Sequence, residues 1–136
     1  SSSAAPQPTF TISSRSRSAP RGMPHMSRAD AARFAAIRAD ILANLSQVRL
    51  SPKMIARRHN VTERYVHLLF EETGATFSEF VAQARLDRAR ELLLDPTANG
   101  AKISDIAQRV GYGEITTFNR AFRRRFGDTP SGLRRQ

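Results

Sequence analysis

The amino-acid sequence predicts an all-α fold in which a long linker helix joins two helix-turn-helix units. Apolar residues recur at helical spacing in one segment after another. Two of these segments share one order of features: an Ile-Ala pair, a turn residue, a polar cap and an apolar set that ends in phenylalanine. Between them lies a stretch whose apolar residues fall on two sides of a helix. Together these patterns predict two similar units and a buried helix between them.

The composition of the 136-residue chain narrows its chemistry. Lysine and arginine number 22 against 12 acidic residues, and the formal net charge of +10 favours a polyanionic partner, either nucleic acid or an acidic membrane surface. The absence of cysteine excludes disulfides, thiolate metal sites and cysteine nucleophiles, and it is compatible with a reducing cytosol. No apolar run approaches the roughly 20 residues of a membrane-spanning helix, so we expect no membrane partner.

Residues 1–27 differ in composition from the rest, with eight serines, four prolines, three arginines and no acidic residue. We predict a disordered basic leader or linker here, or sequence left over from expression. Two alternatives stay open. The composition is also that of an organelle transit peptide, although the prolines disfavour the amphipathic helix that such peptides form, and a basic arm could enter a DNA minor groove.

Residues 28–136 are predicted to form the folded part, with a first subdomain over 28–75, a linker helix over 76–95 and a second subdomain over 96–136. It begins with a packing helix over Ala29–Leu45, because the apolar residues of that stretch share one side. These residues are Phe34, Ile37, Ile41, Leu45 and Val48.

The first helix-turn-helix unit is predicted within Leu50–Gly74. Ser51 can cap its first helix, Pro52 suits the first helical position, and Asn60 stands where a left-handed residue is needed. Thr62 caps the second helix of the unit. We call this second helix, and its counterpart in the other unit, a reading helix. The residues that face inward from it are Val66, Leu69, Phe70 and Thr73.

The stretch Thr76–Leu94 is predicted to be a helix that is apolar on two sides, because Phe77 and Val81 lie roughly opposite Leu86 and Leu93. Such a helix is buried between two structures, so we expect it to separate and orient the two units. It spans about 28 Å, and one turn of DNA is about 34–36 Å. Both reading helices would then enter successive major grooves from one side of a duplex.

The second unit is predicted within Lys102–Pro130. Gly111 ends its first helix, because glycine adopts the left-handed conformation at no steric cost. Phe118, Phe122 and Phe126 mark the inner side of its reading helix. Two helices joined by a short turn with glycine form a helix-turn-helix, whose second helix can lie in a DNA major groove. An ordinary helical hairpin is the alternative for either segment alone, but the repeated order favours the helix-turn-helix.

A long pattern in the chain is specific to one family. It comprises Arg85-Leu86 with Ala89 and Leu92-Leu93, Ile103-Ser104-Asp105-Ile106-Ala107, Gly111-Tyr112, Phe118 with Arg120-Ala121-Phe122-Arg123, and Gly127-Asp128-Thr129-Pro130-Ser131. With this pattern the chain from about Ala32 to Arg135 resembles the DNA-binding domain of the AraC/XylS family of bacterial transcription regulators. Two positions depart from the family. Leu133 stands where an aromatic residue is usual, and Leu68 is apolar where a polar residue is common.

The resemblance implies a bilobal domain of about seven helices that binds double-stranded promoter DNA as an activator or repressor, with activation involving RNA polymerase. It also implies a separate sensing or dimerisation domain in the longer protein, through which a dimer would form. We expect this chain alone to be monomeric, to use no cofactor and to act at the nucleoid in the bacterial cytoplasm.

The predicted DNA contacts follow from the helical phase of the buried residues. The DNA-binding set is Thr62, Glu63, Arg64, His67, Leu68, Glu114, Thr116, Thr117, Asn119, Arg120 and Arg123, and the phosphate-contacting set is Arg57, Arg58, Arg124 and Arg125, which Arg123 also joins. Arg64 and Arg120 are candidates for guanine, and Leu68 for a thymine methyl group. For any one arginine the alternative is a solvated charge or an ion pair with Glu71, Glu72 or Asp128. Arg85 and Arg88 are expected to be structural, with acids on their own helix as partners.

Other functions find little support in the sequence. His59 and His67 are eight residues apart, and no third ligand stands at a suitable spacing from them, so we expect no metal site. The sequence also has no nucleophile elbow or phosphate loop that would indicate an enzyme. Two alternatives to a sequence-specific regulator remain: a non-specific nucleic-acid-binding protein, and a basic helical module that docks an acidic protein.

Overall fold

The structure, a computed structural model, describes residues 26–98 and 100–135, and nearly all of the predicted leader lies outside the described residues. In this part of the chain the regular structure is entirely helical, which confirms the all-α prediction. The helices are α1 (Arg28–Ala43), α2 (Pro52–Arg58), α3 (Glu63–Glu71), α4 (Phe77–Leu94), α5 (Ile103–Arg109), α6 (Ile115–Phe126) and α7 (Pro130–Arg134), with a 3-10 turn at Pro96–Ala98. None of these described helices is long and apolar enough to cross a membrane.

Helix α1 ends earlier than the sequence predicts. The side-chain amide of Asn44 donates to the Asp40 carbonyl oxygen at 2.7 Å and to the Asp40 carboxylate at 2.8 Å, and the chain leaves the helix after Ala43. Val48 therefore lies in the loop to α2 and is 57% exposed, so its predicted place on the packed side of α1 was wrong. Phe34, Ile37, Ile41 and Leu45 are buried as predicted.

The chain divides into two compact units. Of the described residues, the first unit contains 26–38 together with Pro52–Phe77. Its core includes a stack of phenylalanine rings, in which Phe70 meets Phe34 edge-on at 5.1 Å and Phe77 at 5.6 Å between ring centres. Aromatic pairs of this geometry stabilise a core beyond their buried area alone. Thr73, which we expected to face inward, is exposed.

The second unit contains Ala39–Ser51 and the chain from Ser78 onward. Its core joins α4, α5 and α6 through Leu86, Ala89, Leu93, Ile106, Ala107, Val110, Phe118 and Phe122. Leu133 of α7 packs against this core and so occupies, as an aliphatic residue, the position where an aromatic one is usual. Since α4 after Phe77 groups with this unit, its predicted role as a separate linker stays a prediction.

Candidate nucleic-acid interface

The first turn that would present a reading helix lies between α2 and α3. Asn60 adopts the left-handed conformation, with φ 57°, and the Val61 amide donates to the Ala56 carbonyl oxygen at 2.9 Å. The chain is then extended at Thr62, whose hydroxyl accepts a hydrogen bond from the Tyr65 amide at 3.0 Å. This cap satisfies a backbone donor that the first turn of a helix leaves free. The predicted turn and cap are both confirmed.

Helix α3 has one buried and one exposed face. Val66, Leu69 and Phe70 are buried, whereas all the predicted contact residues of this unit are exposed. Leu68 is 42% exposed on this face. His67 Nε2 lies 3.6 Å from Glu63 Oε2, so two predicted contacts are neighbours one turn apart. Arg64 has no hydrogen bond or ion pair to any residue that the structure describes.

The second turn, between α5 and α6, depends on Gly111. Its φ of 98° is left-handed, as predicted from the sequence. A β-carbon at this position would lie 2.0 Å from the Leu45 carbonyl oxygen and 2.7 Å from Arg85 Nε, so glycine is required for space as well as for conformation. Glu114 occupies the cap position of α6 but makes no side-chain bond to the helix backbone. Its carboxylate instead accepts a hydrogen bond from the Thr117 hydroxyl at 3.3 Å.

Helix α6 repeats the division into faces. Phe118 and Phe122 are fully buried. The exposed polar residues on the side away from Phe118 include Thr116, Thr117, Asn119, Arg120, Arg123 and Arg124, and Ile115 and Arg125 are exposed as well. Helix α6 ends at Gly127 in the left-handed conformation. Arg120 and Arg123, like Arg64, make no hydrogen bond or ion pair within the described part of the chain. This face therefore presents three guanidinium groups, two hydroxyls and an amide to solvent.

Arg125 lies apart from that exposed face. Its guanidinium donates from Nε to Asp87 Oδ1 at 3.0 Å and from Nη2 to Asp87 Oδ2 at 3.1 Å, a bidentate pair with α4. Arg125 is seven residues after Phe118, two helical turns, so it lies on the side of α6 that reaches Asp87 of α4, although it is itself exposed. Asp87 is an acidic partner that the sequence did not indicate, and the phosphate contact predicted for Arg125 stays a prediction.

Arg85 and Arg88 are structural, as predicted, although Arg85 uses other partners. Arg85 donates from Nε to the Leu45 carbonyl oxygen at 3.1 Å and from Nη2 to the Gln47 carbonyl oxygen at 2.6 Å, rather than to an acid of its own helix. Burial lowers the pKa of the Arg85 guanidinium from its usual value, but the group stays protonated at neutral pH. Arg88 pairs with Glu91 at 3.1 Å on the same helix.

A contact that sequence reasoning missed holds the start of the first reading helix. The Tyr65 hydroxyl on α3 donates to Asp30 Oδ1 on α1, and the Asp30 amide donates to the Ser27 hydroxyl at 3.0 Å. The hydrogen bonds from Tyr65 and Ser27 lower the pKa of Asp30 from its ordinary value, while burial and the contact with Asp30 raise the pKa of Tyr65. Asp30 and Tyr65 are 35 residues apart, and no local pattern links them.

Two helix-turn-helix units, each with a second helix that is buried on one side and polar on the other, define a helix-turn-helix DNA-binding domain. Residues 55–136 match the family described as "Helix-turn-helix domain". The chain belongs to the AraC/XylS family of transcription regulators.

Relatives and solved structures agree with this assignment. The chain is 36% identical over 116 residues to the transcriptional activator RhrA of Rhizobium meliloti (strain 1021), a match that covers 85% of this chain and 35% of RhrA. It thus spans about a third of that relative's length. An AraC-type regulator from Chromobacterium violaceum matches in structure with a TM-score of 0.71 and 26% identity, covering 81% of this chain and 96% of that one. The DNA-binding domain of AdpA, solved in complex with a target DNA, shares the fold at 22% identity, with a TM-score of 0.65 and coverage of 74% and 88%.

Proposed function

We propose that this chain binds specific promoter DNA by placing α3 and α6 in successive major grooves of one duplex. The observation that carries the proposal is the repeated division of faces. Each reading helix buries most of its apolar residues and leaves uncommitted basic side chains at the surface. Side chains that are held on a rigid helix and have no internal partner can exchange water for base edges at little cost in protein contacts.

Within this proposal the side chains divide by chemistry. Arg64 and Arg120 bind guanine O6 and N7, Leu68 contacts a thymine methyl group, and Thr116, Thr117 and Asn119 form adaptable hydrogen bonds to bases. The phosphate set is Arg57, Arg58, Arg123 and Arg124, which supply affinity rather than sequence information. Arg125 is left out of this set because Asp87 occupies both of its forked donors.

The regulatory role is proposed by analogy with relatives. RhrA is a transcriptional activator and extends well beyond the part that this chain matches. We infer that the longer regulator activates transcription at the bacterial nucleoid, in contact with RNA polymerase, and carries its sensing or dimerisation function outside this chain. The chain itself would bind DNA as a monomer.

Selection of bound sites from random duplex DNA, followed by hydroxyl-radical footprinting, tests the proposal. We expect protection on one face of the duplex over two adjacent major grooves, and a preference of about 10³-fold or more over random DNA. Equal competition by random duplex and RNA would instead indicate a non-specific nucleic-acid-binding protein. Failure to bind any duplex at low salt would favour a module that docks an acidic protein.

A further inference from the structure

The loop that joins α1 to α2 is held in one conformation by side chains from outside it. The Leu50 amide donates to the Gln47 carbonyl oxygen at 3.1 Å, and the Gln47 side-chain amide donates to Asn44 Oδ1 at 3.0 Å. Arg85 of α4 then donates to the carbonyl oxygens of Leu45 and Gln47, so its guanidinium fixes the loop at two points. A backbone held by a half-buried cation is more rigid than an ordinary surface loop.

This loop lies against the turn of the second helix-turn-helix unit. The Leu45 carbonyl oxygen and Arg85 occupy the space where Gly111 lacks a side chain, and Val48 Cγ1 is 3.6 Å from the place of a β-carbon on Gly113. Gly113 directly precedes Glu114, the cap residue of α6. The loop residues that follow Val48 therefore begin beside the N-terminal end of a proposed reading helix.

Arg49 is the basic residue of this loop. It is exposed and makes no hydrogen bond or ion pair with any described residue. The acidic residue at the start of α6, Glu114, accepts a hydrogen bond from the Thr117 hydroxyl. An arginine beside the groove-facing end of a reading helix, without an internal counter-ion, is suited to a phosphate oxygen.

We propose that Arg49 binds a backbone phosphate of DNA at the edge of the groove that α6 enters, with Arg85 as the residue that positions it. This inference rests on the proposed function, because it requires α6 to be in a major groove. In helix-turn-helix complexes the recognition helix points its N-terminal residues at the base edges, and the sugar-phosphate backbone borders that end of the helix. The loop adds a third element to the contact surface, from a part of the chain that precedes both helix-turn-helix units.

The proposal is tested by measuring the DNA affinity of three variants: Arg49→Ala, Arg49→Lys and the control Arg88→Ala. Fluorescence anisotropy gives their affinities for the selected site and for a random duplex at a series of salt concentrations. We expect Arg49→Ala to lose about threefold to tenfold in affinity equally on both DNAs, with a salt slope smaller by about 0.9. Arg49→Lys should retain most of the affinity because it keeps the charge. Arg88→Ala removes one positive charge from α4. It should change the affinity less than twofold, because it breaks only an exposed ion pair. An unchanged affinity and salt slope in Arg49→Ala would overturn the proposal.

Two further measurements locate the contact. Neutral methylphosphonate groups, placed one at a time along the selected site, should weaken the wild type at a phosphate flanking the α6 half-site and leave Arg49→Ala unaffected there. The loss caused by Arg49→Ala should also shrink in an Arg85→Ala background, whose fold is checked by circular dichroism. No such phosphate, or equal losses in both backgrounds, would contradict the placement of Arg49. If the wild type finds no preferred site at all, the proposed function itself fails rather than this inference.

Discussion

Gly111 and the uncommitted arginines of the reading helices show how single residues divide between fold and function. Gly111 is fixed by its φ and by the atoms that fill the space where a side chain would start. Arg64, Arg120 and Arg123 have no such constraint from the described part of the protein. Substitution at Gly111 should therefore change stability, and substitution at the arginines should change recognition.

Gly111→Ala should destabilise the protein by about 3 kcal/mol or more, because an L-residue is strained at this φ and its β-carbon meets a backbone oxygen that Arg85 holds in place. Urea unfolding followed by circular dichroism measures the loss. Gly127→Ala is the matched control, since Gly127 has φ 77° but no atom near its missing β-carbon. That variant should lose only about 1 kcal/mol. Similar losses in the two variants would show that crowding at Gly111 contributes little.

Arg120→Ala should cost about 1–3 kcal/mol of binding free energy on the selected site and relax the preference at one base pair. The reason is that a bidentate contact to guanine discriminates among bases, whereas a phosphate contact does not. Affinity for a panel of single-base variants of the site measures the effect. A loss that is equal on every sequence would make Arg120 a phosphate contact.

At the scale of the elements, the start of α3 is held against α1 by the hydrogen bond between Tyr65 and Asp30, two titratable groups. The hydrogen bonds that Asp30 accepts lower its pKa, so they contribute stability above its ordinary value of 3.8, and that contribution is lost as the pH falls below it. The raised pKa of Tyr65 matters at alkaline pH. The stability that it contributes is lost as the pH rises through the pKa of Tyr65 in the folded protein.

Tyr65→Phe should lower the Tm at neutral pH, and the difference from the wild type should shrink as the pH falls below 3.8, because protonation of Asp30 weakens the bond in the wild type as well. Thermal unfolding from pH 7 to pH 3 measures this. Tyr112→Phe serves as the control, since Tyr112 is half-buried but has no carboxylate bonded to its hydroxyl among the described residues. A Tyr65→Phe difference that is constant across this range would exclude Asp30 as the partner that matters.

The helices and turns could be predicted from the sequence because they depend on residues a few positions apart. Apolar spacing indicated the inner faces of α3 and α6, and Asn60, Thr62 and Gly111 marked the turns. The contacts that could not be predicted join distant parts of the chain. Tyr65 and Asp30 are 35 residues apart, Arg125 and Asp87 are 38, and Arg85 and Leu45 are 40. Such pairs form only after the helices pack, and local periodicity does not encode them.

At the scale of the whole molecule, the net charge of +10 should govern affinity without deciding specificity. The proposed phosphate contacts are Arg49, Arg57, Arg58, Arg123 and Arg124. Each contact that releases a counter-ion steepens the dependence on salt by about 0.9, so five contacts predict a slope of about −4.5 in a plot of log affinity against log salt concentration. Anisotropy titrations from low to physiological salt measure it. A slope near zero on the selected site would contradict a binding mode based on phosphate contacts.

The pair of Asp87 and Arg125 has a consequence for selectivity. Three arginines follow one another on α6, and without an internal counter-ion the third would add to the general attraction for any polyanion in the cell. Asp87 accepts hydrogen bonds from both forks of that guanidinium, so we expect it to reduce the contribution of Arg125 to binding of random nucleic acid. On the proposed function, an acidic residue on α4 would then compete with DNA for this arginine and favour discrimination over tight binding.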